Sequence, residues 1–149
     1  MSTVRDVMTT AVAAVPETAG YKDILTLMRS RHVSAVPVLD SAGRVTGVVS
    51  EADLLRKLAA PALPAGTIRL AWRLRERSKA TALTAAELMT TPAVTISPDA
   101  PVASAARLMQ TSRVRRLPVV DKDGKLAGIV SRADVLSVFE RNDGKIRTK

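Results

Sequence analysis

Apolar and polar positions follow one another in short blocks, and these blocks predict small secondary-structure elements. Leu117–Val120 is a brief apolar run, long enough for a buried strand. The next four residues, Asp121–Gly124, have the composition of a turn, because Asp tolerates left-handed backbone angles and Gly adopts positive φ at little cost. Leu126–Val130 predicts the returning strand, and Ser131 predicts the start of a helix.

The same pattern occurs earlier in the chain, which indicates an internal repeat. Asp6–Leu58 aligns without a gap with Glu87–Phe139, and about a third of the aligned positions are identical. The opening Met8-Thr9-Thr10 returns as Met89-Thr90-Thr91. Two copies are too few for a solenoid, so we predict two similar units packed against each other and folding as one module.

Each copy predicts the order β-α-β-β-α, and hence a mixed α+β fold. In the first copy the predicted elements are a helical turn at Val4–Met8, a strand at Ala11–Val15, a helix at Tyr21–His32, strands at Val36–Leu39 and Val45–Val49, and a helix at Glu51–Leu58 capped by Ser50. In the second copy they are a strand around Ile96, a helix at Val102–Ser112, the two strands described above and a helix at Arg132–Phe139.

The predicted domain organisation follows from these copies. The first repeat covers 4–58 and the second covers 85–139. Residues 59–84 form a linker that is rich in Ala and Pro and continues into an Arg-rich helix, Thr67–Lys79. Residues 140–149 form a charged, frayed tail.

Composition restricts the class of protein. Aromatic residues make up 2% of the 149 residues and apolar residues 46%, so the core must be aliphatic. The absence of Cys excludes disulfides and thiolate metal sites. Met1–Pro16 has no long apolar stretch, which argues against a signal peptide, and the weakly apolar run Leu58–Ala65 is too short to span a bilayer. We expect a soluble, cytoplasmic protein.

The charge is strongly basic, with 23 Lys and Arg against 14 Asp and Glu, a net charge of +9. Such a balance attracts anions, including nucleotides, nucleic acids and acidic membranes. Part of the excess surrounds Trp72 in the Arg-rich segment, where Trp is more typical of a packing anchor than of a nucleic-acid stacking platform. Another part is Arg113, Arg115 and Arg116 in the second repeat.

Both copies contain Gly-x-x-Ser-x-x-Asp, which has two interpretations. The residues are Gly47, Ser50 and Asp53 in the first copy and Gly128, Ser131 and Asp134 in the second. Ser followed three residues later by an acidic residue is typical of a capped helix start. Alternatively, the Asp carboxylate accepts hydrogen bonds from both hydroxyls of a ribose, and the glycine lets a flat base approach the backbone.

The arginines beside the second copy also have two interpretations. Arg115 and Arg116 directly precede the apolar run that begins at Leu117, where two guanidinium groups can bind a phosphate by charge-assisted hydrogen bonds. They can also form a solvated basic surface. The first copy has Ser34 and Ala35 at these positions, so the two sites should not be equivalent.

Catalysis has little support in the sequence. There is no Cys, His32 is the single His and has no plausible metal partner, and carboxylates do not pair at a recurrent spacing. We therefore predict no enzyme activity, no metal site and no required cofactor.

Together these motifs resemble a pair of cystathionine-β-synthase (CBS) domains, also called a Bateman module, of the stand-alone bacterial type. The resemblance covers Val4–Phe139 and rests on the Met-Thr-Thr openings, Val36-Pro37-Val38, Leu117-Pro118-Val119, the Asp-x-x-Gly turns and both Gly-x-x-Ser-x-x-Asp motifs. It implies two units related by pseudo-twofold symmetry, often dimerising into a flat disc. Some proteins of this type carry a following BON domain, which is not seen in this sequence.

The resemblance also implies adenine nucleotides or related adenosyl ligands in clefts that combine residues from both repeats. In the main cleft Asp134 would bind ribose, Arg115 and Arg116 would face phosphate, and Val33 would lie against the base. The full set implied for this cleft is Thr10, Val33, Ser34, Arg115, Arg116, Ile129, Ser131 and Asp134. The second, weaker cleft would use Ser50, Asp53, Thr91 and Val114. Without an arginine pair it favours a less charged ligand.

The leading hypothesis is a non-catalytic regulatory module that senses AMP, ADP, ATP or S-adenosylmethionine and forms a homodimer. Two alternatives stay open. One is a ligand-free dimerisation scaffold with empty clefts. The other is a nucleic-acid-binding protein that uses the Arg-rich linker.

Overall fold

The computed structural model describes residues 2–59 and 83–141, apart from the side chain of Leu58. The helices are α1 (Val4–Val7), α2 (Tyr21–Arg31), α3 (Glu51–Leu58), α4 (Ala85–Leu88), α5 (Val102–Ser112) and α6 (Arg132–Arg141). The strands are β1 (Val15–Pro16), β2 (Ala35–Leu39), β3 (Val45–Ser50), β4 (Arg116–Val120) and β5 (Leu126–Ser131). The predicted Arg-rich helix lies outside the described residues.

The chain forms two compact units whose boundaries differ from those of the repeats. Unit 1 consists of Met1–Val12, Ala42–Val45 and Ala93–Lys149, and unit 2 consists of Ala13–Ser41 and Thr46–Pro92. Each unit therefore combines the body of one repeat with the opening segment of the other. The opening segment is Met1–Val12 in unit 1 and 85–92 in unit 2. The repeat limits 4–58 and 85–139 stay predictions from sequence similarity.

The centre of unit 1 is the antiparallel hairpin β4–β5, which pairs Leu117 with Val130 and Arg116 with Ser131. The opening segment joins its edge, because the Thr9 amide donates to the Ile129 carbonyl at 2.8 Å and the Ile129 amide donates back at 2.9 Å. On the other side, Ile96 bridges to Val119 in parallel. The hairpin is thus extended at both edges by residues that precede it in the chain.

The core of unit 1 is aliphatic, as the composition predicts. Leu117, Val119 and Val130 are fully buried on the hairpin. They pack with residues at helical spacing on the two longer helices, Val102, Ala105 and Met109 on α5 and Val135 and Val138 on α6. Burying a Val, Leu or Met side chain contributes roughly 1.5–3 kcal/mol.

Unit 2 repeats this arrangement with its own sequence. Strand β1 pairs in parallel with β2, Val15 opposite Val38, and β3 follows β2 in the sheet. Its opening segment comes from the second repeat, and the Thr90 amide donates to the Val48 carbonyl at 2.9 Å. The buried residues include Ile24, Val36, Val38, Val49 and Leu88.

The predicted elements are present, with corrections at several ends. Strand β1 is Val15–Pro16 and not Ala11–Val15, because the chain turns where the Val12 amide donates to the Thr10 carbonyl. Helix α2 ends one residue early, since His32 adopts a left-handed conformation with φ of 54°. Ile96 forms a single bridge, and α6 continues to Arg141, into the predicted tail.

Gly128 is required by the approach of the opening segment. A Cβ at Gly128 would lie 2.8 Å from the Thr9 carbonyl oxygen, which is backbone and cannot rotate away. We expect Gly128→Ala to lower the free energy of unfolding by about 2 kcal/mol or more, as overpacking typically does. Urea denaturation followed by circular dichroism measures this loss.

Gly20→Ala is the matched control, because nothing lies within 4 Å of its added Cβ. We expect it to cost less than about 1 kcal/mol, the scale of a changed helix N-cap. Equal losses in the two variants would contradict the close-approach explanation.

Candidate ligand-binding site

The two Gly-x-x-Ser-x-x-Asp motifs fold alike at the junction of a strand and a helix. In unit 2 the Ser50 amide donates to Asp53 Oδ2 at 2.9 Å, and the Asp53 amide donates to Ser50 Oγ at 3.1 Å. In unit 1 the corresponding distances for Ser131 and Asp134 are 2.8 and 3.1 Å. The capping interpretation is therefore correct for both motifs, and capping occupies one carboxylate oxygen in each.

The second carboxylate oxygen distinguishes the motifs. Asp53 Oδ1 accepts from the Thr90 hydroxyl at 3.0 Å and from the guanidinium of Arg56, with which it forms an ion pair. The Ser50 hydroxyl adds a further bond to Oδ2 at 2.9 Å. Asp53 is 5% exposed, so its carboxylate is both desolvated and fully hydrogen-bonded.

Asp134 is partly exposed, and its Oδ1 has no hydrogen-bond partner within residues 2–59 and 83–141. The residue that matches Arg56 is Ser137, whose hydroxyl donates instead to the Asp134 carbonyl at 2.7 Å. Asp134 therefore keeps one carboxylate oxygen able to accept a hydrogen bond from a ligand.

The arginine pair lies at the same end of the hairpin as Asp134. Arg116 begins β4 and pairs with Ser131, while the exposed Arg115 precedes it. The Arg115 carbonyl accepts from the Arg132 amide at 2.8 Å, which joins this segment to the first turn of α6. Within the described part of the chain neither guanidinium has an ion pair or hydrogen bond. Both cations are therefore available to an anion.

Unit 1 brings together most of the residues predicted for the main cleft. The exposed Thr10 follows Thr9, which pairs with Ile129 two residues before Ser131. The set gathered in this unit is Thr10, Arg115, Arg116, Ile129, Ser131 and Asp134. Val33 and Ser34 belong to unit 2, and their assignment to this cleft stays a prediction.

The residues predicted for the second cleft divide in the same way. Ser50, Asp53 and Thr91 belong to unit 2, and Val114 belongs to unit 1. The Thr91 hydroxyl is already used, because it donates to the Thr46 carbonyl at 2.8 Å. Where unit 1 has Arg115 and Arg116, unit 2 has Ser34 directly before β2 and Ala35 as the first residue of the strand.

The predicted role of the motif glycines is wrong. The space beside Gly128 is filled by the Thr9 carbonyl and the Met8 side chain, and that beside Gly47 by the Thr90 carbonyl and the Met89 side chain. The glycines therefore admit the protein's own backbone, and not a flat base.

A groove of about 400 Å³ opens between α5 and α6 in unit 1. Its apolar residues include Met109, Leu136 and Phe139, and its arginines are Arg113, Arg115 and Arg132. Leu136 is 58% exposed and Phe139 39%. Neither Leu136 nor Phe139 was predicted as a site residue; the available signal was their spacing, which places them off the α6 face that buries Val135 and Val138. Arg56, three residues after Asp53, was not predicted either.

Two features are absent from residues 2–59 and 83–141. No helix there combines the length and hydrophobicity needed to cross a membrane. In the same residues, no cluster of three or more His, Asp and Glu side chains is placed to hold a metal ion.

The chain is similar to several known proteins. It is 30% identical over 135 residues to the CBS domain-containing protein YhcV of Bacillus subtilis, covering 91% of this chain and 84% of YhcV. It is 29% identical over 152 residues to the uncharacterized protein MJ1426 of Methanocaldococcus jannaschii, covering 91% and 90%. The chain also matches two relatives that have enzyme names, but the match covers 24% and 15% of their own length.

The fold is similar to that of CBSX2, a CBS-pair protein of Arabidopsis thaliana, in its crystal structure in complex with AMP. The TM-score is 0.75 at 30% identity, with 96% of this chain and 99% of that chain covered. This similarity confirms the predicted mixed α+β fold of tandem repeats. The CBS domain family matches residues 4–60 and 85–141, and this double match, with the identity to YhcV, shows that the chain belongs to the CBS domain family.

Proposed function

We propose that this chain is a non-catalytic regulatory module that binds an adenine nucleotide in unit 1. The observation that carries the proposal concerns residues 2–59 and 83–141, where an Asp134 oxygen without a hydrogen-bond partner lies at the same hairpin end as the unpaired guanidinium groups of Arg115 and Arg116. A carboxylate accepts well from the two hydroxyls of a ribose, and guanidinium groups bind phosphate. The relative CBSX2, at 30% identity, has been crystallised in complex with AMP.

The chemistry of the site favours a phosphorylated ligand. Two cations that have no counter-charge in the described part of the chain attract a phosphate, whereas the sulfonium of S-adenosylmethionine carries positive charge and brings no phosphate. We therefore rank AMP, ADP and ATP above S-adenosylmethionine. The number of phosphates depends on contacts beyond those of the two arginines.

Regulation follows from which segments form the site. Unit 1 contains the opening segment Met1–Val12, held by the pairing of Thr9 with Ile129, and Thr10 comes directly after that pair. A ligand that contacts both Thr10 and Asp134 stabilises the attached state of this segment, because ligands stabilise the state that binds them. The opening segment is then the element through which occupancy reaches a partner.

Asp134→Ala tests the ribose contact. Removing a charged hydrogen-bond acceptor costs roughly 1.5–3 kcal/mol, so we expect AMP affinity to fall by about 10- to 150-fold. Isothermal titration calorimetry with AMP, ADP, ATP and S-adenosylmethionine measures this loss. The matched control, Asp53→Ala, should change AMP affinity less, because that carboxylate is already occupied. No heat with any of the four ligands at millimolar concentration would remove the proposal.

Arg115→Gln and Arg116→Gln test the phosphate contact. We expect each to weaken AMP about 10-fold or more while leaving adenosine affinity nearly unchanged, because adenosine has no phosphate. Arg107→Gln, at an exposed position of α5, is the matched control and should affect neither ligand. An equal loss of affinity for AMP and for adenosine would show that the arginines do not contact a phosphate.

A second candidate function, association of two copies, is favoured by exposed apolar residues at matching positions. Leu55 on α3 is 70% exposed, and Leu136 on α6 occupies the same place in the second repeat. Glu51 lies one helical turn before Leu55, whereas the corresponding residue before Leu136 is Arg132. We propose that α3 of a second copy lies in the α5–α6 groove, pairing Leu55 with Leu136 and Glu51 with Arg132.

Leu136→Lys should shift the protein toward monomer, since it places a charge in an apolar contact. Sedimentation equilibrium measures the association constant, which we expect to fall at least 10-fold. The pair Glu51→Arg with Arg132→Glu should associate better than either single variant. An unchanged association constant in Leu136→Lys would exclude this face.

Other expectations stay predictions. Nucleic-acid binding through the Arg-rich segment concerns residues outside the described part of the chain, and the cytoplasmic location is likewise untested. The nucleic-acid prediction is tested by measuring mobility shifts at several salt concentrations, for the wild type and for a variant with Arg73, Arg75 and Arg77 neutralised.

A further inference from the structure

We propose that Arg56 closes the Gly-x-x-Ser-x-x-Asp motif of the first repeat by occupying the Asp53 oxygen that a ribose hydroxyl would need. Unit 2 then excludes nucleosides, while the corresponding carboxylate of unit 1 stays open. The inference rests on the proposed function, because it assigns the same ribose contact to both motifs and explains why one of them is unavailable.

The Asp53 carboxylate has no acceptor capacity left. Its two oxygens offer about four lone-pair sites. Four donors fill them: the Ser50 amide and hydroxyl on Oδ2, and the Thr90 hydroxyl and Arg56 guanidinium on Oδ1. A ribose could bind only by displacing one of these donors from a carboxylate that is almost completely buried.

The open motif in unit 1 differs at one of the contributing positions. Ser131, Asp134 and Thr9 match Ser50, Asp53 and Thr90 in residue type. The fourth position has Ser137 in place of Arg56, and the Ser137 hydroxyl bonds to backbone. The Arg56 side chain is 64% exposed, so it is held on Asp53 by charge rather than by packing. In residue type the closed and open motifs therefore differ at a single position. In hydrogen bonding they differ further, because within the described residues the Ser131 and Thr9 hydroxyls do not donate to Asp134 as those of Ser50 and Thr90 do to Asp53.

The ligand class of an opened unit 2 follows from its other residues. Ser34 and Ala35 stand where unit 1 has Arg115 and Arg116, so no arginine pair is present to bind phosphate. An opened unit 2 therefore takes an uncharged nucleoside such as adenosine in preference to AMP.

The exchange of Arg56 and Ser137 tests the inference in both directions on the full chain. Isothermal titration calorimetry of the wild type should give one AMP per chain. Arg56→Ser should add a binding event for adenosine that Asp53→Ala in the same background removes. Ser137→Arg should place a guanidinium on Asp134 and weaken AMP at least 10-fold. Arg56→Lys, which keeps the cation, should behave as the wild type.

Circular dichroism checks that each variant is folded, and Ser137→Arg decides the matter if Arg56→Ser does not fold. Binding of two AMP molecules per wild-type chain would overturn the inference. It would also be overturned if Arg56→Ser gained no adenosine binding and Ser137→Arg bound AMP as tightly as the wild type. The failure of the proposed function looks different, because the wild type then binds no AMP. Adenosine binding gained by Arg56→Ser would still support closure by Arg56.

Discussion

Each unit depends on backbone pairing between its hairpin and a segment that belongs, by sequence, to the other repeat. In unit 1 this is the reciprocal pair of hydrogen bonds between Thr9 and Ile129, and in unit 2 that between Thr90 and Val48. Both pairings require a neighbouring glycine, Gly128 or Gly47, because a Cβ there would meet a carbonyl oxygen at less than 3 Å. The hydrogen bonds satisfy strand edges that would otherwise be left unpaired.

This pairing also explains the composition of the candidate site. Thr10 lies in unit 1 because its neighbour Thr9 pairs with Ile129, two residues before Ser131. Arg116 lies beside Ser131 because β4 pairs with the end of β5. The Asp134 carboxylate caps α6 with one oxygen, and within the described residues the other oxygen is left for the proposed ligand contact. Helix capping and ligand binding are therefore compatible uses of the same side chain, so the two interpretations of the motif do not exclude each other.

The duplicated sequence produces two similar backbones with different chemistry. Three differences matter: Arg56 against Ser137, the pair Ser34 and Ala35 against Arg115 and Arg116, and Glu51 against Arg132. Each difference changes charge, and none requires the backbone to change. Stability and ligand chemistry can therefore diverge separately in such a pair, because the core is aliphatic and the charged residues surround it.

Local signals determined much of this protein. Helices α3 and α5 have the predicted bounds, since capping residues and apolar spacing act within a few residues. The repeat, the hairpins and the asymmetry of the arginines were also readable from the sequence. The Arg56 guanidinium on Asp53 is also a local contact, because the two residues are three apart on α3. Two features were decided only by tertiary structure: the short β1 and the backbone beside Gly128. Each depends on which distant segment lies against a residue, and residue spacing does not contain that information.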